Sequence, residues 1–126
     1  MDIRRVVPNI TTDRLAESRA FYTDFLGFEV AMDLDWIVTL ASPSHPAAQV
    51  SLLRGTRSDA GLDGMSMSVE VADVDKVYAD AVSRGIGIEY PLTDEPWGVR
   101  RFQVNDPNGV SLRSTATERP DSQPPR

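Results

Sequence analysis

The chain has 126 residues, enough for one domain or two half-units, and its 13 basic and 19 acidic residues give a net charge of −6. This balance argues against nucleic acid and anionic membrane surfaces as partners, because both attract clustered positive charge. Cysteine is absent and His45 is the one histidine, which excludes a disulfide framework, a cysteine-ligated zinc site and a histidine-rich cluster within one chain. No apolar run approaches the roughly 20 residues of a membrane span, and we expect no secretory signal and a cytoplasmic location.

The first half of the chain reads as a strand, a helix and three further strands. Residues 5–11 are predicted to form the first strand. Asp13 then caps the start of a helix, and Gly27 ends it by supplying a left-handed residue. The apolar stripe of this helix contains Leu15, Phe21, Tyr22, Phe25 and Leu26. Three short strands follow, at residues 28–34, 36–41 and 48–54.

The second half repeats that order. A strand is predicted at residues 66–71, and Asp73 caps a helix that Gly85 ends. The apolar positions of this helix recur with helical spacing at Val74, Val77, Tyr78, Ala81 and Val82. Strands at residues 86–90, 99–104 and 109–115 complete the set. Residues 106–109 form the turn before the last strand.

Matching motifs at a nearly constant offset indicate an internal duplication. Val50-Ser51-Leu52 recurs as Val110-Ser111-Leu112, an offset of 110 − 50 = 60, and Trp36 corresponds to Trp97 at an offset of 97 − 36 = 61. We therefore predict an α+β fold of two tandem βαβββ units that form a curved mixed sheet around a cleft. The units cover about residues 4–54 and 65–115 within one domain, 1–115. A flexible segment at 55–64 separates them, and residues 116–126 form a disordered tail.

Three segments resemble the vicinal oxygen chelate superfamily, which joins glyoxalase I, extradiol dioxygenases and bleomycin-resistance proteins. Residues 18–28 match its first-helix pattern S-x-x-F-Y-x-x-x-L-G-F, and residues 106–109 match its D-P-x-G turn. Residues 95–102 are similar to a sequence of its bleomycin-resistance-like branch. The likeness covers roughly residues 4–115, and it implies the glyoxalase/bleomycin-resistance fold.

The resemblance also locates the metal ligands that enzymes of this family use, usually His, Gln and Glu. The matching positions here hold Val6 or its neighbour Val7, Leu53, Ser66 and Arg113. Such side chains cannot assemble an oxygen- and nitrogen-ligated site, and an arginine repels a cation. We therefore expect no metal, no cofactor and no metal-ligating residue.

The resemblance to the bleomycin-resistance branch implies a protein that sequesters a drug without transforming it, as a dimer with aromatic side chains stacked on a cationic ligand. Trp36 and Trp97 each follow acidic residues, and a tryptophan face beside carboxylates suits a flat cation. Arg100 and Arg101 point to opposite faces of one strand, so one of them faces the cleft or pairs with an acid such as Glu95. The predicted ligand-binding residues are Trp36, Trp97, Arg100, Arg101, Phe102, Arg113, Asn9, Tyr90 and Ser66.

These observations predict a protein that binds a small aromatic or cationic molecule in a metal-free cleft, with antibiotic sequestration as its role and a homodimer as its assembly. Two alternatives stay open. One is a divergent metal-dependent lyase, isomerase or dioxygenase of the same superfamily, and the other is an accessory dimer with a vestigial pocket. No catalytic residue is assigned, and His45, flanked by prolines, is interpreted as an exposed loop residue.

Overall fold

The computed structural model describes residues 1–56 and 66–117. The chain divides into two compact units, Met1–Gly61 and Leu62–Arg126. Most of the predicted flexible segment, and the predicted tail from residue 118 onward, lie outside the described residues.

The first unit is a four-stranded mixed sheet with one helical segment. Its strands stand in the order β1-β4-β3-β2, with β1 parallel to β4 and the other pairs antiparallel. The elements are β1 (Asn9–Thr12), α1 (Leu15–Ala20) with a π-helical continuation (Phe21–Phe25), β2 (Glu29–Asp33), β3 (Ile37–Ala41) and β4 (Gln49–Arg54).

The second unit repeats this topology. Its strands stand in the order β5-β8-β7-β6, and β5 is parallel to β8. The elements are β5 (Ser66–Glu70), α2 (Val74–Ser83), β6 (Ile88–Asp94), β7 (Val99–Asn105) and β8 (Ser111–Thr117). The predicted α+β class and the pair of βαβββ units are confirmed.

The duplicated tripeptide has the same role in both units. Val50 and Leu52 lie on β4, Leu112 lies on β8, and Val110 directly precedes that strand. All four side chains are buried in the core of their own unit. Removing such side chains from water supplies the main driving force for each sheet to pack against its helix.

Two predicted boundaries in the first unit differ from the structure. The first strand begins at Asn9 rather than at residue 5, directly after Pro8, which has no N–H to offer to a sheet. Asp13 is not the N-cap of α1, which begins at Leu15 after Arg14. The hydroxyl of Thr12 instead accepts a hydrogen bond from the Arg14 backbone N–H at 2.9 Å.

The predicted ends of the second unit's helix are confirmed. The Asp73 carboxylate accepts a hydrogen bond from the backbone N–H of Lys76 at 3.1 Å, which satisfies one unpaired donor of the first turn. Gly85 has φ of +73° just after the helix, and Gly27 has φ of +78° after the helical segment of the first unit. Both glycines therefore supply the left-handed residue that ends a helix.

Two strands of the second unit run further than predicted. β6 extends to Asp94 rather than ending at residue 90, and its pairing with β7 shifts register around Pro91, which lacks an N–H donor. β8 continues to Thr117, two residues into the segment that was predicted to be a tail. Within the described residues, neither helix is long and apolar enough to cross a lipid bilayer.

The strands of the second unit present two chemically different faces. Phe102, Val104 and Leu112 are fully buried, and Phe102 packs edge-to-face on Tyr78 of α2 with ring centroids 5.1 Å apart. Because side chains alternate along a strand, their neighbours project from the opposite side of the sheet. We call that side the polar face, and it carries Ser68, Arg101, Gln103, Arg113 and Thr115.

Candidate ligand-binding site

Trp36 and Trp97 occupy equivalent turns in the two units. Trp36 lies between β2 and β3, and Trp97 lies between β6 and β7. Their exposed fractions are 57% and 45%, so neither ring is part of a buried core. Each tryptophan therefore presents an apolar surface that a flat molecule can stack on.

The acids beside Trp36 already have cationic partners. Asp33 accepts a hydrogen bond from the Asp35 backbone N–H at 2.9 Å and pairs with Arg19 at 2.9 Å. The backbone hydrogen bond first, and Arg19 second, hold the pKa of the Asp33 carboxyl below its usual value. Asp35 lies 3.8 Å from Arg54. Because each carboxylate has an arginine partner, little unbalanced negative charge remains beside the ring. Both pairs are exposed to solvent, where an ion pair contributes little to stability.

A tight turn positions the side chains around Trp97. The backbone N–H of Glu95 donates to the carbonyl of Val99 at 2.7 Å, and the N–H of Gly98 donates back to the carbonyl of Glu95 at 3.1 Å. Gly98 has φ of +87°, a conformation that glycine adopts without steric cost. The turn therefore fixes Trp97 next to Glu95 at the start of β7.

Arg101 lies at the centre of a compact cluster in the second unit. Its Nη2 donates to Glu95 Oε2 at 3.0 Å, while the hydroxyl of Tyr90 donates to Glu95 Oε1 at 2.8 Å. The guanidinium carbon lies 5.4 Å from the ring centroid of Tyr90 and 5.5 Å from that of Trp97. Both distances suit cation–π attraction, so one arginine holds two aromatic rings in place.

This cluster is largely shielded from water. The side chains of Glu95 and Arg101 are 8% and 19% exposed. The Nε of Arg101 is buried and has no hydrogen-bond partner within the described part of the chain. The cluster therefore has one donor that is not satisfied. Leaving a buried donor without an acceptor costs on the order of 1–3 kcal/mol of stability.

Arg100 points away from the polar face and ties the sheet to its helix. It lies 2.8 Å from Asp75, in the first turn of α2, and 3.0 Å from Asp94 on β6. Hydrogen bonds to Asp75 first, and to Asp94 second, raise the pKa of Arg100. Arg100 was predicted to bind ligand, but the structure gives it two carboxylate partners and a structural role.

Phe102 was also predicted to bind ligand, and the structure places it elsewhere. Its side chain has no exposed surface and contacts Tyr78 on the helix side of the sheet. The prediction located the strand correctly but assigned Phe102 to the wrong face. The neighbours of Phe102 on the strand, Arg101 and Gln103, face the other way, because the side-chain period of a strand is two.

The remaining predicted residues lie on exposed or half-exposed parts of the two sheets. Arg113 is exposed on β8, directly opposite Gln103 of β7. Ser66 begins β5 opposite Ser111, and Asn9 begins β1 opposite Ser51. Tyr90 and Trp97 meet at Arg101, as described above, and Arg113 shares the polar face with them.

The side chains at the expected metal positions do not fit a metal. Val6 and Val7 precede β1, and Leu53 offers only hydrocarbon. Arg113 offers a guanidinium, which cannot give electrons to a cation. Within residues 1–56 and 66–117, no three His, Cys, Asp or Glu side chains cluster as metal ligands would.

His45 lies in the connection between β3 and β4, where it is exposed. Its Nδ1 is 3.0 Å from the hydroxyl of Ser44. Its interpretation as an exposed loop residue is confirmed.

Sequence reasoning did not assign Glu95 and Gln103 to the site. Glu95 carries both hydrogen bonds that organise Arg101 and Tyr90, and Gln103 lies between Tyr90 and Arg113 in the register of the sheet. The signal for Gln103 is in the sequence: polar and apolar residues alternate along β7, so Gln103 shares a face with Arg101. The position of Glu95 depends on the turn geometry, which the sequence pattern does not specify.

The sequence matches the family model of the Glyoxalase/Bleomycin resistance protein/Dioxygenase superfamily over residues 3–113. No curated protein matches it.

Solved structures with the same fold include the bleomycin resistance determinant encoded on transposon Tn5, with a TM-score of 0.74 and 20% identity over 93% of this chain and 100% of that one. An antibiotic binding protein from a Streptomyces species has a TM-score of 0.75 and 19% identity over 94% of this chain and 99% of that one. Lactoylglutathione lyase from Agrobacterium tumefaciens has a TM-score of 0.70 and 20% identity over 90% and 92% of the two chains. At such identities, the likeness shows the fold alone.

Proposed function

This chain belongs to the glyoxalase/bleomycin resistance protein/dioxygenase superfamily, and on that premise we propose that it binds a small aromatic molecule and sequesters it without transforming it. One observation carries the proposal: the rings of Trp97 and Tyr90 both lie over the guanidinium of Arg101. Trp97 keeps nearly half of its surface exposed while Arg101 holds its ring. A surface that is both exposed and already ordered loses little conformational freedom when a flat ligand stacks on it.

An antibiotic is the ligand class that the comparisons support. The Tn5 determinant is named for bleomycin resistance, and the Streptomyces protein is named as an antibiotic binding protein. Both share the fold of this chain at about 20% identity or less, so they support a class of ligand and not a particular drug. We therefore propose a planar aromatic antibiotic as the ligand.

Sequestration rather than catalysis is supported by the chemistry of the residues at the family's metal positions. Leu53 and Arg113 lack the donor atoms that would hold a metal ion and polarise substrate oxygens. Metal analysis of the purified full chain, after incubation with Ni, Zn, Mn or Fe, tests this point. We expect substoichiometric metal that dialysis removes. One tightly held metal ion per chain would contradict the proposal and favour a metal-dependent enzyme.

Binding is tested by isothermal titration of the full chain against bleomycin and a panel of planar aromatic antibiotics. We expect at least one of these compounds to bind, with a titration curve that fits a single class of sites. Trp97→Ala then weakens binding by about tenfold or more, because stacking on a tryptophan contributes on the order of 1–3 kcal/mol. Val82→Ala is the control, since Val82 is an exposed apolar residue on α2.

Failure of every compound in the panel to bind would contradict the proposed function. If the Trp97→Ala and Val82→Ala variants bind a ligand equally well, that ligand does not stack on the rings around Arg101.

A homodimer is the assembly that we propose for the binding protein. Support comes from the exposed apolar side chains along β2 and its following turn: Val30 and Met32 are 39% and 40% exposed, and Leu34 is 52% exposed. A row of such side chains favours association, because burying them removes apolar surface from water. Sedimentation velocity is expected to give twice the mass of the chain, and a monomer at micromolar concentration would contradict the proposal.

A further inference from the structure

The polar face of the second unit brings two arginines close together. Arg101 pairs with Thr115 in the β7–β8 register, and Arg113 pairs with Gln103, so the two arginines are diagonal neighbours on adjacent strands. Diagonal neighbours on one face lie about 7–8 Å apart at the backbone, within reach of long side chains. The two guanidinium groups therefore belong to one surface.

The two arginines differ in what they are paired with. Arg101 is neutralised by Glu95 at 3.0 Å and is only 19% exposed. Arg113 is exposed, and its side chain forms no ion pair or hydrogen bond within the described part of the chain. Of the two arginines, Arg113 is therefore the one whose positive charge is available to an arriving molecule.

The carboxylates on the polar face are already in use, whereas charged donors remain. Both carboxylate oxygens of Glu95 are taken, one by Tyr90 and one by Arg101. Glu70, which lies opposite Thr115 on the edge strand β5, is also engaged in an interaction. The charged groups with a free donor are Arg113 and, at its buried Nε, Arg101. Ser68, Gln103 and Thr115 can each donate or accept, so the charged groups favour a ligand that brings acceptor oxygens.

Negative charge beside Trp97 is also committed elsewhere. Asp94 pairs with Arg100 at 3.0 Å, and Glu95 pairs with Arg101. The sequence predicted that carboxylates beside this tryptophan attract a flat cation. At this turn both carboxylates are already paired with arginines. Arg101 itself already supplies a cation to one face of each ring.

We propose that this polar face selects aromatic ligands that carry an anionic oxygen, with Arg113 as the residue that binds that oxygen. This inference rests on the proposed function, because it specifies the ligand class of the same site. The aromatic part stacks on the rings that Arg101 holds. The carboxylate or phenolate oxygen accepts hydrogen bonds from Arg113, whose planar guanidinium can bind two oxygens side by side.

Three naphthalene probes that share one ring system and differ in the charge of a single substituent test the proposal on the full chain. They are 2-naphthoate, 2-naphthylmethylammonium and 2-naphthalenemethanol, and binding is followed by isothermal titration and by the indole N–H signal of Trp97 in NMR. We expect 2-naphthoate to bind the most tightly of the three. A charge-assisted hydrogen bond is equivalent to about tenfold or more in affinity, so a difference of that order over the alcohol is expected.

Arg113→Gln removes the charge but keeps a side chain of polar character. We expect it to weaken naphthoate binding by about tenfold and to leave binding of the alcohol unchanged. Arg113→Lys should recover part of the lost affinity. Arg14→Gln is the matched control, because Arg14 is an exposed arginine of the first unit and its loss changes the net charge equally.

The possible outcomes separate this inference from the proposed function. Tighter binding of the ammonium probe, or a naphthoate preference that survives Arg113→Gln, would overturn the inference while leaving aromatic binding intact. Equal losses in Arg113→Gln and Arg14→Gln would also overturn it, because net charge alone would then explain the preference. If neither the probes nor the antibiotic panel bind, both proposals fail.

Discussion

Arg101 and Glu95 form an ion pair of 3.0 Å in which neither side chain is fully solvated: 19% and 8% of their surfaces are exposed. Most ion pairs among residues 1–56 and 66–117 are more exposed to solvent. Arg84 and Asp80, for example, are paired at 2.9 Å with 43% of each side chain exposed. Shielding makes the loss of one partner expensive, because the other charge is left without compensation in a poorly solvated place.

Glu95→Gln is expected to lower the free energy of unfolding by about 2–4 kcal/mol, because Arg101 keeps its charge but loses its counter-ion. Urea unfolding followed by circular dichroism measures this change. Asp80→Asn is the matched control on an exposed pair, and there we expect a loss of about 0.5 kcal/mol or less. Equal effects in the two variants would contradict the role assigned to shielding.

Asp106→Ala is expected to destabilise the turn before β8. One carboxylate oxygen of Asp106 accepts hydrogen bonds from the backbone N–H groups of Asn108 and Val110, each at 2.8 Å, and the residue is 4% exposed. Without that oxygen, two buried donors lose their acceptor, so we expect a loss of about 2–4 kcal/mol by chemical denaturation. Asp106→Asn retains an acceptor oxygen and should lose less. Equal losses in the two variants would show that the charge matters more than the hydrogen bonds, because both substitutions remove the charge.

The ionisation of Asp33 makes the free energy of unfolding depend on pH in the acidic range, and the lowered pKa of its carboxyl fixes the direction. The pKa of its carboxyl is lowered in the folded chain, first by the Asp35 backbone N–H and then by Arg19, from a usual value of 3.8. A group whose folded pKa is lowered stabilises the fold above its unfolded pKa and ceases to do so as pH falls through the folded pKa.

Asp33→Asn should therefore be less stable than the unmodified chain at pH 6, and the difference should shrink toward zero as the pH falls below about 4. Urea midpoints measured in steps from pH 6 to pH 2.5 provide the comparison. A difference that stays constant over this range would mean that the Asp33 charge does not contribute.

Gly85→Ala and Gly87→Ala test the effect of backbone conformation on stability, because a steric clash is expected in neither variant. A methyl group at either position would meet nothing within 4 Å, but only Gly85 has a left-handed φ, +73°. We expect Gly85→Ala to cost about 1 kcal/mol, because a side chain disfavours that conformation. Gly87→Ala should be neutral or stabilising by up to about 1 kcal/mol, because it restricts the unfolded chain. Thermal unfolding of the two variants distinguishes them, and a similar loss in both would refute this assignment.

Local signals in the sequence were sufficient for the repeated unit but not for every boundary. Asp73 was predicted to cap a helix and does so, since its carboxylate accepts the hydrogen bond from the Lys76 N–H. Asp13 was predicted to do the same and does not, because the hydroxyl of Thr12 accepts the Arg14 N–H and the helix starts later. Which of two adjacent acceptors takes a given N–H is decided by backbone angles that a residue pattern does not contain.

The sequence predicted where several residues of the candidate site lie along the chain. It did not predict which side chains they contact. The duplication placed Trp36 and Trp97 in equivalent turns, and alternation put Arg100 and Arg101 on opposite faces. Which arginine faces the helix depends on the register between β6, β7 and α2, and that register is a product of tertiary packing. For the same reason Phe102 was assigned to the wrong face.

The parallel strand pairs have a consequence for how the chain folds as it is made. Asn9 on β1 pairs with Ser51 on β4, 51 − 9 = 42 residues later, and Ser66 on β5 pairs with Ser111 on β8, 111 − 66 = 45 residues later. The first strand of each unit therefore has no hydrogen-bonded neighbour in its sheet until nearly the whole unit has left the ribosome. Pairings between such distant residues slow folding, so each unit waits for its own last strand.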